Sequence, residues 1–278
     1  MWYPLDRIDV PKAEPKPDQV VVKISAAALN HRDLFLRQHL YPGTTFGVPL
    51  LADGAGTVIS TGSNASQWQD KRVVLNPGTG WKDAPEGPEN PNGYAILGGT
   101  KFNPIGCLAE TVTIDASELE EAPAHLSNVE AAALPLTGLT AWRALFTKSG
   151  NAQPGRNILV TGIGGGVALM ALLFANAAGC NVFVSSGSEE KLKKAKELGA
   201  AGGINYKEQG WEKKLLELLP QDRKHLDAII DGAGGDIVEK TYKLIKVSPF
   251  YQQYTRGSLA NELSARWCCC LLRHDYGA

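Results

Sequence analysis

The sequence predicts an α/β protein with a β-rich domain over residues 1–122 and a parallel, doubly wound sheet over residues 123–250. Short β-type runs divided by Gly and Pro indicate the first domain. Alternating strands and helices indicate the second, where a glycine run joins one strand to the next helix. Residues 251–278 fit neither pattern and are predicted to form an atypical tail of unassigned structure.

The composition narrows the possible classes of function. The 278 residues include 28 Lys and Arg against 29 Asp and Glu, so no basic field is expected to hold nucleic acid or an anionic membrane. The longest apolar stretch, residues 167–178, is too short to cross a bilayer, and the charged Asp6 and Arg7 predict no secretory leader. The five cysteines lack a disulfide-type spacing, which predicts a reducing, cytoplasmic setting.

The β-rich domain is predicted from four short runs of β-forming residues. They cover residues 20–24, 56–60, 72–75 and 110–114. A stretch dense in Pro, Gly and Asn, residues 82–99, is predicted to be a long surface loop.

The second domain opens with a helix signal. Ser127 and Glu130 have the spacing of a capping box, which predicts a helix over residues 129–134 that ends at Pro135, with a second helix over 138–148. Strands and helices then alternate. The strands are predicted at 157–161, 181–185, 203–206 and 226–231, and the helices at 167–178, 189–198, 211–219 and 237–246.

The glycine run after the first of these strands carries the strongest functional signal. It comprises Gly162, Gly164, Gly165, Gly166 and the helix-opening Val167. Residues without a Cβ let the backbone approach a pyrophosphate, and the amino end of the helix offers free N–H groups to it. The order of strand, turn and helix predicts a Rossmann domain that binds a dinucleotide, with a glycine-rich loop that binds nothing as the alternative.

The end of the second strand of this domain indicates which dinucleotide is bound. An acidic residue there favours NAD, whereas an uncharged residue with a cation nearby admits the 2′-phosphate of NADP. The chain has Ser186 at this point and Lys191 in the first turn of the next helix, which predicts NADP(H). The alternative is NAD, with Glu189 turned back to the ribose and Lys191 directed to solvent.

Four further motifs, at residues 26–33, 49–58, 106–110 and 132–141, stand in a characteristic order around the glycine run. With them the chain resembles the medium-chain dehydrogenase/reductase superfamily. The likeness is to its zinc-independent quinone oxidoreductase-like branch, which includes fungal proteins called "zinc-type alcohol dehydrogenase-like". The resemblance implies that the β-rich domain is GroES-like, that the second domain is a Rossmann domain, and that substrate enters a cleft between them.

The resemblance also leads to a prediction about metal. Zinc-dependent members carry Cys, His and Cys where this chain has Asn30, Ala52 and Ala133, and a catalytic zinc needs three such ligands. No metal site is therefore predicted. His31 and His39 are interpreted as cleft-lining or solvent-facing residues.

Quinones and α,β-unsaturated carbonyls are the expected substrates, because they accept hydride with only hydrogen-bond assistance. The cofactor contacts that the resemblance implies are Thr137, Tyr206 and the turn that begins at Asp231. Asn30 is implied to contact the substrate oxygen, or else to hold its own loop, while His31 and Tyr41 are candidates for proton transfer. Two rival functions are a catalytically impaired NADP-binding protein and, disfavoured by the missing ligands, an alcohol dehydrogenase.

The carboxyl end departs from the resemblance, which stops near residue 246. No sixth strand follows, and Pro249 stands where a paired strand would need an N–H group. We expect the sheet to end one or two strands early, with the edge of the fourth strand poorly covered and a possible homodimer deprived of its late strands. Because Val-Ser matches the splice-donor sequence GTAAGT, residues from Val247 onward are interpreted as an unspliced or altered transcript, with a genuine divergent terminus as the alternative.

Overall fold

The computed structural model describes most of the chain. It covers residues 4–11, 13–234 and 236–245, together with the backbone of Cys269–Leu271. Within these residues no helix is long and apolar enough to cross a membrane. The interpretation of the tail as an altered transcript concerns residues that lie largely outside the described structure.

The chain divides into two compact units, Met1–Leu136 and Thr137–Ala278. This division falls later than the domain boundary predicted at residue 122. Ala131 and Ala132 explain the difference, because they share an apolar cluster with Ala55 and so keep their helix with the β-rich part.

The first unit is built on an antiparallel sheet. Its elements are β1 (Gln19–Ala28), α1 (His31–Arg37), β2 (Asp53–Thr61), β3 (Arg72–Leu75), β4 (Gly78–Thr79), β5 (Ala95–Ile96), β6 (Thr111–Asp115), β7 (Leu119–Glu121) and α2 (Asn128–Ala132). Five strands pair in the order β6-β1-β2-β3-β7, and β4 pairs with β5 alone. Val20, Val73 and Ile114 belong to its buried core. The β-rich prediction for this part of the chain is confirmed.

The second unit is a parallel sheet flanked by helices. The helix α3 (Pro135–Trp142) has its first two residues in the first unit and the rest in the second. The other elements of the second unit are β8 (Asn157–Val160), α4 (Gly166–Ala177), β9 (Asn181–Ser186), α5 (Glu189–Glu197), β10 (Gly202–Asn205), α6 (Trp211–Leu218), β11 (Ala228–Asp231), α7 (Ile237–Thr241) and β12 (Cys269–Leu271). The strand order is β10-β9-β8-β11-β12, and every pair is parallel. This is the 3-2-1-4-5 order of a Rossmann sheet, which confirms the predicted fold class.

Helices cover both faces of this sheet. Val182 and Val184 of β9 pack in one cluster with Leu172 of α4, whereas Phe183 packs in another with Trp211 of α6. Successive side chains of a strand point to opposite faces, so one apolar strand serves two cores. The sheet is therefore doubly wound, as predicted.

The helices at the junction differ in part from the prediction. The capping box is present, because Glu130 N–H donates to Ser127 Oγ at 3.3 Å and Ser127 N–H donates to Glu130 Oε2 at 2.9 Å. Pro135, however, begins α3 instead of ending a helix. Proline suits the first helical position, since the N–H that it lacks would be unpaired there in any case. A π-helical segment, Arg143–Lys148, follows α3 directly.

Among the described residues the parallel sheet has five strands, one fewer than six, which agrees with the expectation that it ends one or two strands early. The fifth strand nevertheless corrects the expectation that the edge of the fourth would be poorly covered. β12 pairs with β11 in parallel, with Ile229 opposite Cys269 and Asp231 opposite Leu271. The expectation relied on the weak side-chain pattern of the tail. Backbone groups along an open sheet edge can pair with a short segment whatever its side-chain pattern.

Candidate functional site

The glycine turn lies at the carboxyl end of the central strand β8. Gly162 and Gly164 have φ angles of +65° and +118°, which residues with a Cβ rarely adopt. The Ile163 N–H donates to Ser185 O at 2.9 Å and so fixes the turn against β9. No side chain caps α4, and no acidic residue stands in its first turn, so its amino end can receive an anion.

Two neighbours flank this turn. A Cβ added to Gly166 would meet Thr137 Cγ2 at 2.7 Å, so Thr137 lies against the first residue of α4. A Cβ added to Gly162 would lie 3.3 Å from Ala233 Cβ, so the loop after β11 adjoins the turn on another side. Val167 packs partly buried on the core of this unit, which leaves its backbone as the part that could contact a cofactor.

Lys191 reaches from the start of α5 over the glycine turn. A Cβ added to Gly164 would lie 2.6 Å from Lys191 Cδ and 3.0 Å from Lys191 Nζ. Ser186, the residue predicted to act with Lys191, is buried, and its hydroxyl accepts from Ser188 N–H at 3.2 Å. The lysine therefore stands at the candidate phosphate site, whereas the serine hydroxyl serves the loop.

Lys207 is a cation that the sequence prediction missed. A Cβ added to Gly187, directly after β9, would lie 2.6 Å from Lys207 Cε, 3.1 Å from Lys207 Nζ and 2.9 Å from Tyr206 Oη. Tyr206 and Lys207 thus reach from the end of β10 to the end of β9. The adjacency of Lys207 to the predicted Tyr206 was the only signal in the sequence.

Glu189 has another partner in this region. Its Oε1 accepts from Asn205 Nδ2 at 2.8 Å, and Asn205 Oδ1 accepts from Lys207 N–H at 3.1 Å. The carboxylate that would bind a ribose under the NAD alternative is therefore engaged with the end of β10. This arrangement favours the interpretation with a 2′-phosphate.

The Asp231 carboxylate organises the loop after β11. Oδ1 accepts a short hydrogen bond from the Thr161 hydroxyl and a bond of 3.1 Å from Ala233 N–H, while Gly234 N–H donates to Oδ2 at 3.2 Å. Asp231 is buried. Its side chain thus holds the turn that was expected to pass the nicotinamide ribose, and both of its oxygens already accept hydrogen bonds from the chain.

A second candidate site lies in the first unit, around Asn30. The Asn30 side-chain amide donates from Nδ2 to Asp53 Oδ2 at 2.8 Å, and Leu136 N–H donates to Asp53 Oδ1 at 2.8 Å. The backbone N–H of Asn30 donates to Asp33 Oδ2 at 2.7 Å, which begins α1. Both aspartates are buried, whereas Asn30 is partly exposed.

Arg32 anchors α1, the helix that begins directly after Asn30. Its guanidinium donates to Leu97 O at 3.0 Å and to Gly98 O at 2.9 Å, and it lies 4.7 Å from the centroid of the Tyr41 ring. Tyr41 is thereby held beside α1. His31 is exposed and stacks on Phe35 with the ring centroids 4.7 Å apart.

The strand that carries Asp53 begins after a strained residue. Leu51 is buried, yet its φ is +65°, a conformation that is uncommon outside Gly and Asn. Its carbonyl accepts from Cys107 N–H at 2.8 Å, and Gly98 packs so tightly on its backbone that an added Cβ would come within 2.7 Å. Such strain persists where surrounding contacts impose it, and it is frequent at functional sites.

Replacing Asp53 by Asn should alter how stability depends on pH. Burial raises the pKa of Asp53 from 3.8 to about 6. The folded chain then binds a proton that the unfolded chain releases in this window, so the free energy of unfolding falls as pH rises through it. The shift corresponds to roughly 3 kcal/mol. Urea unfolding at about pH 4 and about pH 7 should show a loss of stability in the unmodified chain that is smaller by about this amount in Asp53→Asn. Equal pH dependence in both chains would contradict the prediction.

The donor atoms near Asn30 do not fit a catalytic zinc. Among the residues that the structure describes, no three His, Cys, Asp or Glu side chains cluster as a metal site requires. Ala52 and Ala133 offer no side-chain donor. The Cys107 thiol lies 3.4 Å from Ala52 O, and burial raises the pKa of this thiol to about 12, so it stays protonated.

Two known domain families match the chain. The alcohol dehydrogenase GroES-like domain matches residues 16–124, and the zinc-binding dehydrogenase family matches residues 166–248. The two matches fall on the β-rich unit and on the Rossmann unit. The zinc in the second name describes that family, and the ligand positions of this chain lack its donors.

Relatives with similar sequences include a fungal and a bacterial protein. The "Zinc-type alcohol dehydrogenase-like protein YogA" of Leptosphaeria maculans is 52% identical over 253 residues, 88% of this chain and 71% of that protein. The "Quinone oxidoreductase" of Pseudomonas aeruginosa is 28% identical over 236 residues, 84% of this chain and 64% of that protein.

Solved structures show the same arrangement of elements. An NAD-dependent alcohol dehydrogenase matches with a TM-score of 0.77 and 36% identity, over 86% of this chain and 69% of that one. The Escherichia coli quinone oxidoreductase complexed with NADPH matches with a TM-score of 0.68 and 25% identity, over 86% of this chain and 65% of that one. The chain thus spans between 64% and 71% of the lengths of these four proteins. Because both domain families match in order and a relative at 52% identity is covered over most of its length, the chain belongs to the medium-chain dehydrogenase/reductase superfamily of oxidoreductases.

Proposed function

We propose that this chain is the larger part of an enzyme that transfers hydride from NADPH to a quinone or an α,β-unsaturated carbonyl without zinc. The observation that carries the proposal is a pair of lysines, Lys191 beside Gly164 of the glycine turn and Lys207 beside Gly187 at the end of β9. NADP differs from NAD by one phosphate, and the ammonium groups of these two lysines favour the more charged cofactor. The solved structures divide on this point, since one is a quinone oxidoreductase complexed with NADPH and another is an NAD-dependent alcohol dehydrogenase.

The cofactor would be held by groups already in position. The glycine turn and the uncapped amino end of α4 suit the pyrophosphate, while Lys191, Lys207 and Tyr206 suit the adenosine 2′-phosphate. Thr137 and the loop held by Asp231 adjoin the turn and suit the nicotinamide end. When bound, NADPH supplies the hydride, and the chain's own residues orient it and its acceptor.

The choice of substrate follows from the donor set around Asn30. A quinone or enone oxygen gains negative charge during reduction and needs a hydrogen-bond donor rather than a metal. Asn30 Nδ2 carries two N–H groups, of which Asp53 takes one, so a second is left for that oxygen. The partner is thus a small electrophile rather than nucleic acid or membrane, and the cysteine spacing favours a reducing, cytoplasmic setting.

The deciding experiment mixes the purified chain with NADPH and either 1,4-benzoquinone or an enone, and follows the loss of reduced nicotinamide. We expect consumption that depends on both protein and acceptor and that is slower with NADH. A parallel thermal-shift titration reports binding alone. Stabilisation by NADPH without consumption would support the rival candidate, a catalytically impaired NADP-binding protein.

Removal of metal should leave the protein unchanged. Because Asn30, Ala52 and Ala133 replace zinc ligands, elemental analysis should find no stoichiometric zinc. Incubation with EDTA should alter neither NADPH binding nor any turnover. One zinc bound tightly per chain would overturn the zinc-independent part of the proposal.

A further inference from the structure

We propose that Asp53 is a positioning residue that fixes the direction of the Asn30 amide, so that an amide N–H is presented to the substrate oxygen. The hydrogen-bond part of this inference stands on the first unit alone. Its catalytic consequence rests on the proposed function.

The two oxygens of Asp53 face two different donors. Leu136 N–H, near the start of α3, holds Oδ1 at 2.8 Å, and the Asn30 amide holds Oδ2 at 2.8 Å. The Leu136 donor belongs to the backbone and cannot rotate away. Oδ2 therefore has a set direction toward Asn30, because the two oxygens of a carboxylate are rigidly linked.

The backbone of Asn30 is held independently. Its N–H donates to Asp33 Oδ2, and the other oxygen of Asp33 lies 3.4 Å from Arg32 Nη1. Arg32 is itself bound to the carbonyls of Leu97 and Gly98. With the main chain fixed in this way, the chief freedom left to Asn30 is rotation of its amide.

The chemistry of the partners decides that rotation. An ionised carboxylate accepts hydrogen bonds and cannot donate, so the nitrogen of the Asn30 amide must face Asp53. A protonated Asp53 gains a hydroxyl that can donate to the amide oxygen, which permits the opposite orientation. Asparagine at position 53 would have one acceptor oxygen for two donors, and it could no longer serve both Leu136 and Asn30.

Few other groups around Asp53 change charge near neutral pH. Its titratable and charged neighbours are Arg32, Asp33, Tyr94 and Cys107. Burial raises the pKa of both Tyr94 and Cys107 further above neutrality, so they stay uncharged. Burial also raises the pKa of Asp33, which a nearby Arg32 lowers in part. Asp33 accepts from the backbone N–H of Asn30 and not from its side chain, so Asp53 is the group whose protonation can reorient the Asn30 amide.

The direct test is NMR of the chain with its asparagine side chains labelled with ¹⁵N. The Asn30 amide signal is identified by its disappearance in Asn30→Ala. We expect this signal to shift between about pH 5 and about pH 8 in the unmodified chain, and to be displaced and independent of pH in Asp53→Asn. The control is Asp70→Asn, the same change at an exposed residue whose φ of +62° asparagine tolerates, and it should leave the Asn30 signal unchanged.

The outcomes separate the inference from the proposed function. The inference would be overturned if the Asn30 amide signal had the same pH dependence in Asp53→Asn and in the unmodified chain. Should Asp53→Asn not fold, an Asn30 signal that stays constant with pH in the unmodified chain overturns it equally. If the chain turns over, Asp53→Asn should lower kcat about tenfold without changing NADPH affinity, and it should add nothing in an Asn30→Ala background. If the Asn30 amide signal depends on Asp53 but the chain shows no turnover, the proposed function is refuted and the inference about Asp53 stands.

Discussion

Replacing Lys191 and Lys207 together by Ala should weaken NADPH binding about a hundred- to ten-thousand-fold while leaving NADH binding nearly unchanged. Lys207 lies beside Gly187 at the end of β9, and Lys191 lies beside Gly164 on the turn that follows β8. Charge-assisted hydrogen bonds to a phosphate are each worth about 1.5–3 kcal/mol, and only NADP carries the extra phosphate. Calorimetric titration of the single and double variants with both cofactors measures the effect.

A matched control changes the net charge by the same amount at two other lysines. Lys193→Ala with Lys213→Ala removes two exposed lysines from α5 and α6, and both cofactors should bind it as they bind the unmodified chain. Equal losses for NADH and NADPH in Lys191→Ala/Lys207→Ala would mean that the lysines serve the shared pyrophosphate. The choice of cofactor would then return to Glu189.

Asp231→Ala should lower the free energy of unfolding by about 4 kcal/mol and abolish measurable dinucleotide binding. The substitution leaves the Thr161 hydroxyl and the N–H groups of Ala233 and Gly234 without their acceptor, at about 1–3 kcal/mol for each group that stays buried. The freed loop adjoins Gly162 of the phosphate turn. Urea unfolding and thermal shift with NADPH measure the two effects.

The neighbouring Asp236 provides the comparison for that variant. It is exposed, pairs with Lys240 at 2.8 Å on the surface of α7, and its replacement by Ala should change little. Asp231→Asn should lie between the two, since it keeps one acceptor oxygen. A stability of Asp231→Ala close to that of Asp236→Ala would show that water satisfies the three donors and that the loop does not depend on the carboxylate.

The sequence was most informative where local pattern and packing agree. The strand at 72–75 and the helices that begin at Glu189 and Trp211 were predicted nearly to the residue, because their apolar spacing matches the faces that they bury. α1 was missed, since a helix of seven residues has little periodicity and is anchored by Arg32 through contacts with Leu97 and Gly98 that are distant in sequence. The far end of β1 was missed for a related reason, because alanines there have little intrinsic preference for a strand.

The type of site could be predicted from the sequence, but only some of its residues could. The glycine turn was evident because its residue types are demanded by backbone geometry. Lys207 and Asp53 could not be selected from the sequence, since one depends on how β10 approaches β9 and the other on a donor near the start of α3. Ser186 and Asp231 lay where expected, yet their side chains are occupied by the loops that they stabilise.

Arg32 affects how this protein unfolds locally. Its guanidinium joins α1 to the carbonyls of Leu97 and Gly98, at the end of the long loop that composition alone suggested was a separate surface feature. Separating the buried guanidinium from either carbonyl would leave a buried polar group without its hydrogen-bond partner, which costs free energy. Helix and loop should therefore unfold as one cooperative unit, and their amide hydrogens should exchange with solvent at a shared opening free energy.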